Sequence, residues 1–297
     1  MLKIENLSKS FGKLEVLKDL NLEVQEGSVF GLVGVNGAGK STLLRCIAGV
    51  YEPDAGNILL DQCNTFTDEN IRKHIAFVAD EFWYPFAAAI KSMKVFYKSL
   101  YDFDEEAYQK YLKMFDLDEN LQIANLSKGN KRRVSLLFAL SIHAKLLLLD
   151  EAYDGLEPLA RYRFKKALAE LIEEENITVI ISSHNLRELE DICDSYGILE
   201  EGKIISYGDL LENRGLVNKY QTAFQEDLDK TAFSEFDLLH YEKEGMVYTL
   251  VIRGDEEEVM EKLKAMNPIL LNTLPVSFEE LFIYELEERG YGDEETA

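Results

Sequence analysis

One stretch constrains this chain more than any other: Gly34-Val35-Asn36-Gly37-Ala38-Gly39-Lys40-Ser41-Thr42. It fits G-x-x-x-x-G-K-[ST], the pattern of a phosphate-binding loop. The chemistry explains the spacing. Small residues let consecutive backbone N–H groups turn inward around a polyphosphate. Gly37 and Gly39 can take positive φ where a side chain would clash. Lys40 offers a point charge to the β- and γ-phosphates, and Ser41 offers a hydroxyl to Mg²⁺. The flanks agree with this reading. Residues 28–33 form an apolar run suited to a buried strand, and residues 42–49 carry a helical apolar stripe closed by glycine. The helix N-terminus adds its own attraction for anions. Asn36, Gly37, Ala38, Gly39, Lys40, Ser41 and Thr42 are therefore assigned to a bound nucleotide.

At 297 residues the chain can form one large domain, or one large and one small. Its net charge of -23 makes a nucleic-acid backbone an unsuitable general partner, although Lys131-Arg132-Arg133 is a local basic run. Cys46, Cys63 and Cys193 are scattered and lack metal-ligand spacing, which reads as reduced thiols. The first six residues contain no apolar core of a signal peptide. No run approaches the ~20 apolar residues of a membrane helix.

Along the chain, residues 2–9 and 14–24 alternate as half-buried strands. Phe11, on the turn between them, can stack on an adenine or simply pack. Residues 57–60 and 75–78 read as further strands, the second ending at Asp80. Helical periodicity then runs through 87–115, with Asp104-Glu105-Glu106 as a helix start. The aromatic run 82–86 either packs this helical insert or walls a groove for a partner's helix. Ser127 can cap the helix that follows it. Residues 145–151 form a strand buried on both faces and ending in Asp150-Glu151, where α/β proteins place their chemistry. A helix is expected over 158–174, a buried strand over 177–183 with His184 at its end, a helix over 185–192, and a hairpin from 196–199 and 203–207. Past residue 208 the expected elements are strands at 233–241, 246–253 and 269–274 and helices at 255–266 and 277–288. This small unit carries no chemical motif.

In their order and spacing these motifs resemble the ATPase subunits of ABC transporters, over residues 1 to about 210. The P-loop is followed by Asp80 at the Q-loop position and by Leu126-Ser127-Lys128-Gly129-Asn130 at the signature. Asp150-Glu151 stands as Walker B and its glutamate, and His184 as the switch histidine. The signature departs from LSGGQ but keeps Ser127 and Gly129. Glu157 replaces the D-loop aspartate, Phe11 the A-loop tyrosine, and Asp80 the Q-loop glutamine.

The resemblance implies an α/β P-loop NTPase fold with an ABC-type antiparallel β subdomain and a helical insert, plus a small C-terminal α+β unit. The expected boundaries are 1–208 for the ATPase domain, with the helical part at about 86–143, and 209–297 for the accessory domain. It also implies roles and partners. ATP and Mg²⁺ are the cofactors. Glu151 is the base, His184 contacts the γ-phosphate, and Lys40 offsets charge. Ser41, Asp80 and Asp150 are the metal residues, and Phe11 stacks on the base. Ser127, Gly129 and Asn130 close the site of a partner subunit in a homodimer held by ATP. The remaining partner is an integral membrane permease, with the subunit peripheral on the inner face of the membrane in the cytoplasm, and no nucleic acid. The signature, Asp80 and the segment 276–282 are most similar to exporters of amphipathic and antimicrobial peptides, such as phenol-soluble modulins. The alternative is a regulatory or translation-associated ABC ATPase. Those acting on translation usually carry two ATPase units and basic surfaces, whereas this chain has one P-loop and strong acidity.

Overall fold

The apolar run before the P-loop is strand β3 (Val29–Val33), buried along its whole length. Such a strand needs cover on both faces and neighbours on both edges. In the computed structural model, which describes residues 1–183, 186–209, 217–277, 279–281 and 283–284, it lies inside a six-stranded sheet. The order is β10 (Lys203–Asp209), β9 (Ser195–Glu200), β3, β8 (Thr178–Ser183), β7 (Leu146–Asp150), β6 (Ile75–Val78). The strands from β9 to β6 are parallel, in a register that pairs Val33 with Ser183 and Asp150 with Ser182. Parallel pairing brings their carboxyl ends to one edge of the sheet, and the motif residues follow those ends.

A second, antiparallel sheet has the order β2 (Leu14–Val24), β1 (Leu2–Phe11), β4 (Ala55–Leu60), β5 (Cys63–Asn64). Alternation sends Leu2, Ile4, Leu17, Leu20 and Leu22 inward, where they meet Phe30 and Leu32 of β3, Leu148 of β7 and helix α1 (Lys40–Ile47) in one core. The P-loop helix is thus wedged between the two sheets. Helix α2 (Glu69–Arg72), capped by Asp68, leads into β6.

Between β6 and β7 the chain leaves the sheet to form α3 (Ile90–Leu100), α4 (Glu105–Met114) and α5 (Lys128–Ala139). Asp104 caps α4 by accepting from the Glu106 and Ala107 N–H groups, and Ser127 caps α5 by accepting from that of Asn130. Tyr108, Tyr111, Phe115 and Phe138 fill the interior of this insert. Helix α6 (Pro158–Glu175) buries Phe164, Leu168 and Leu171. Helix α7 covers only Leu186–Glu190, shorter than the periodicity suggests, and Asn185 lies outside the described residues.

Residues 208–297 form a separate unit with its own four-stranded antiparallel sheet. Its order is β12 (Asp237–Glu244), β13 (Val247–Arg253), β11 (Val217–Ala223), β14 (Leu270–Leu274), and it packs with α8 (Glu256–Ala265) around Tyr220, Phe233, Tyr248, Leu250 and Leu263. Two expectations change here. The strand placed at 233–241 begins at Asp237, because Asp229 caps a 3-10 turn over Lys230–Phe233 that drops Phe233 into the core. Strand β11, central to this sheet, was not expected at all. Half of the helix expected over 277–288, at 278, 282 and 285–288, lies outside the described residues.

Candidate functional site

The P-loop departs from the carboxyl end of β3 with no room to spare. A Cβ on Gly34 would lie 2.3 Å from the Leu199 carbonyl oxygen on β9. Gly39 caps α1 in the left-handed region at φ +111, with Leu17 Cδ2 3.0 Å from where its Cβ would be. Lys40 then opens α1 and is 6 % exposed. Its ammonium group donates to the carbonyls of Gly34 (2.6 Å) and Val35 (3.3 Å) and sits 3.9 Å from Glu151 Oε1. Burial pushes the Lys40 pKa down, and the neighbouring Glu151 and Asp150 carboxylates oppose that shift.

Asp150 ends β7 and is fully buried. Its Oδ1 accepts from Ser41 Oγ (3.1 Å) and Ser182 Oγ (2.8 Å), while its buried Oδ2 has no hydrogen-bond partner among the described residues. An unsatisfied carboxylate oxygen in the interior is costly. Beside the Ser41 hydroxyl it forms the oxygen donor set a hard cation requires, so these residues fit Mg²⁺. Glu151, the next residue, takes φ +49. Its N–H donates to the Ser182 carbonyl (3.2 Å), and this left-handed turn swings the side chain off the strand line.

These groups line one cavity of about 280 Å³: Asn36, Gly37, Gly39, Lys40, Ser41 and Thr42 with Val16, Asp80 and Glu151. Ala38 is not part of its wall, and its N–H turns onto the Val35 carbonyl (3.2 Å). A larger cavity of about 680 Å³ beside Lys3, Glu5, Glu23 and Tyr207 contains none of the motif residues, so volume does not locate the chemistry here.

Asp80 reaches the P-loop cavity, but its Oδ1 is held by Arg132 of α5 at 2.9 Å. Arg132 also donates to the Ala79 carbonyl (2.7 Å). The residue read as a metal ligand is therefore the partner of an arginine in this structure. Asp80 and Arg132 line a further cavity of about 370 Å³ together with Glu81, Phe82, Tyr84, Lys128 and Lys131.

Ser127, Gly129 and Asn130 stand at the start of α5, outside the P-loop cavity wall. A Cβ on Gly129 would lie 2.5 Å from the Gly155 carbonyl oxygen. Lys128 pairs with Asp154 (3.6 Å) and Arg133 with Glu157 (3.1 Å). The signature and the segment 154–157 thus form one surface, in which Glu157 acts as an ion-pair partner. Phe11 is 44 % exposed, edge-on to Tyr51 at 5.3 Å, and is not in the cavity wall. His184 lies outside the described residues. Sequence reasoning missed Ser182, which read only as part of a strand, and the pairing of Arg132, which read only as one charge in a basic run.

A parallel sheet with a P-loop at its carboxyl edge, an antiparallel sheet over the loop helix and a helical insert before the Walker B strand define an ABC-type P-loop NTPase. The family model described as ABC transporter matches residues 17–154. The chain is 30% identical to the ABC transporter ATP-binding protein YtrB of Bacillus subtilis (strain 168), over 95% of this chain and 97% of that protein. It is 28% identical to the bacitracin transport ATP-binding protein BcrA of Bacillus licheniformis, over 98% of each. It also superposes, with a TM-score of 0.64 and 25% identity over 71% of this chain and 99% of the other, on the dimeric post-hydrolysis state of the ATP-binding cassette MJ0796 bound to ADP and Pi. This chain belongs to the ABC transporter family, as an ATP-binding subunit that hydrolyses ATP to energise transport. No described helix is long and apolar enough to cross a membrane.

Proposed function

We propose that two copies of this chain bind two ATP molecules between them on the cytoplasmic side of a membrane permease, and that the assembly exports amphipathic or antimicrobial peptides. The observation that carries this is the incompleteness of the site in one copy. The P-loop cavity gathers Lys40, Ser41 and Glu151, while Ser127 and Gly129 open α5 outside it. A second copy related by a two-fold axis brings its own Ser127, Gly129 and Asn130 to the phosphates, and the relation is reciprocal. The dimer of MJ0796 supports this arrangement. The bacitracin transport relative, matched along its whole length, supports a peptide antibiotic as cargo.

Within each site, backbone N–H groups of the loop and Lys40 hold the polyphosphate. Ser41 and Asp150 hold Mg²⁺, which when bound supplies charge neutralisation at the transferring phosphoryl group. Glu151 orients the attacking water and accepts its proton. His184, one residue past β8, contacts the γ-phosphate. The permease takes its energy from the closing and opening of the two copies.

Glu151→Gln tests this reading. The amide cannot accept the proton, so turnover falls by at least about 100-fold. ATP then holds a dimer that light scattering detects and ADP does not sustain. In cells lacking the chain, the wild type should restore resistance to peptide antibiotics and this variant should not. Near-normal turnover removes Glu151 from the base role.

A further inference from the structure

Asp80 stands where two cavities share a wall. It lines the P-loop cavity with Lys40, Ser41 and Glu151, and the neighbouring cavity with Arg132. We propose that Arg132 is a positioning residue for ATP binding: its guanidinium neutralises Asp80 and keeps that carboxylate from opposing the polyphosphate in the P-loop cavity. The inference rests on the reading of that cavity as the nucleotide site.

The side chain of Arg132 is 3% exposed, and both of its hydrogen bonds to the loop after β6 go to adjacent residues. One fixes the backbone at the Ala79 carbonyl and the other fixes the Asp80 carboxylate. A planar, always charged fork suits this double contact in a way that an ammonium group does not. Arg132 is buried while the Asp80 side chain is 48% exposed, so water and salt reach the pair from the carboxylate side.

The charge balance of the P-loop cavity gives the pair its importance. Among the described residues Lys40 is the one cation in the wall, facing Asp80 and Glu151, with Asp150 bonded to Ser41 behind them. A polyphosphate adds several negative charges to this set. Any carboxylate left without its own cation raises the cost of admitting the phosphates. Glu151 has Lys40 at 3.9 Å, and Asp80 has Arg132 at 2.9 Å. Arg132 thus acts on the nucleotide through Asp80 and without touching it.

The test is equilibrium binding of ATP to the full chain in EDTA, so that no metal contributes, at low and high salt. Arg132→Gln should weaken ATP binding about tenfold at low salt, and the loss should shrink at high salt because the repulsion is screened. Adding Asp80→Asn removes the charge that Arg132 offsets, and should restore affinity to within about threefold of wild type, against a tenfold scale per 1.4 kcal/mol. Arg132→Lys should fall between. If the double variant binds as weakly as Arg132→Gln, or if the loss ignores salt, Arg132 only anchors the loop and the proposal fails. Should Arg132→Gln not fold, Asp80→Asn alone decides. With Arg132 retained it should bind ATP at least as tightly as wild type at low salt, and weaker binding overturns the proposal. A wild-type chain that binds no ATP would count instead against the cavity as the nucleotide site.

Discussion

A methyl group added at Gly34 would sit 2.3 Å from the Leu199 carbonyl oxygen, closer than carbon and oxygen can approach. The obstacle is backbone of a neighbouring strand, so it cannot swing aside. Gly34→Ala should therefore destabilise the chain by about 1–3 kcal/mol, typical of overpacking, and abolish ATP binding by displacing the carbonyl that Lys40 holds. Thermal unfolding and nucleotide titration of the one variant check both parts; unchanged affinity would mean that the loop tolerates the shift. At this scale the P-loop, Asp150 and Glu151 were legible because their motif is contiguous and its spacing follows phosphate geometry. The ion pair of Asp80 was not, since its partner lies 52 residues away and nothing in either local sequence selects the other. Ser182 was hidden for a related reason: a small hydroxyl inside Ile-Ile-Ser-Ser looks like filler until Asp150 is placed beside it.

At the scale of elements, the aromatic run after β6 turns its bulk outward. Trp83 is 69% and Phe86 98% exposed, and Trp83 lies 6.5 Å from Phe96 of α3, itself on the surface. Packing of the insert is done instead by Tyr108, Tyr111 and Phe138. Of the two readings open for the run, a partner-facing wall suits Trp83 better, in the manner of helix-in-groove contacts. Trp83→Ala should leave the melting temperature within about 2 °C, as surface substitutions do. It should lower recovery of the permease in pull-downs while ATP affinity stays unchanged; normal permease recovery would assign the ring to packing. Elements with clean periodicity were readable to the residue, as with β2 over Leu14–Val24 and β6 over Ile75–Val78. Strand β11 was not. Its buried Asn218 and Thr222 break the apolar alternation, and Thr222 is satisfied by the Leu270 carbonyl at 3.0 Å, a bond that exists only once β14 has paired.

At the scale of the molecule, each of the two units has a core of its own among the described residues, one around Phe30, Leu43 and Leu148 and one around Phe233, Tyr248 and Leu250. A chain ending after Asp209, where β10 stops, keeps the first core and every described motif residue. It should bind ATP within about threefold of the full chain's affinity, since no motif residue is removed. The second unit exposes Met246 and Ile269, apolar side chains that a like unit can cover. We therefore expect the full chain to associate without nucleotide and the shortened chain not to. Sedimentation of both decides, and equal association states would exclude this role.

The sheet order has a consequence for how the protein is made. Strand β3 is made well before its neighbours β8 and β9, and the P-loop leans on Leu199. Until residue 199 has left the ribosome, the loop has a sequence but no wall. The emerging chain must carry the buried strand 29–33 without either of its sheet neighbours until residues 178–200 have been made, whereas 146–150 emerges with β6 already present. Sheets closed by such distant pairings form slowly and expose apolar surface meanwhile. The nucleotide, which needs the finished loop, arrives too late to help that closure.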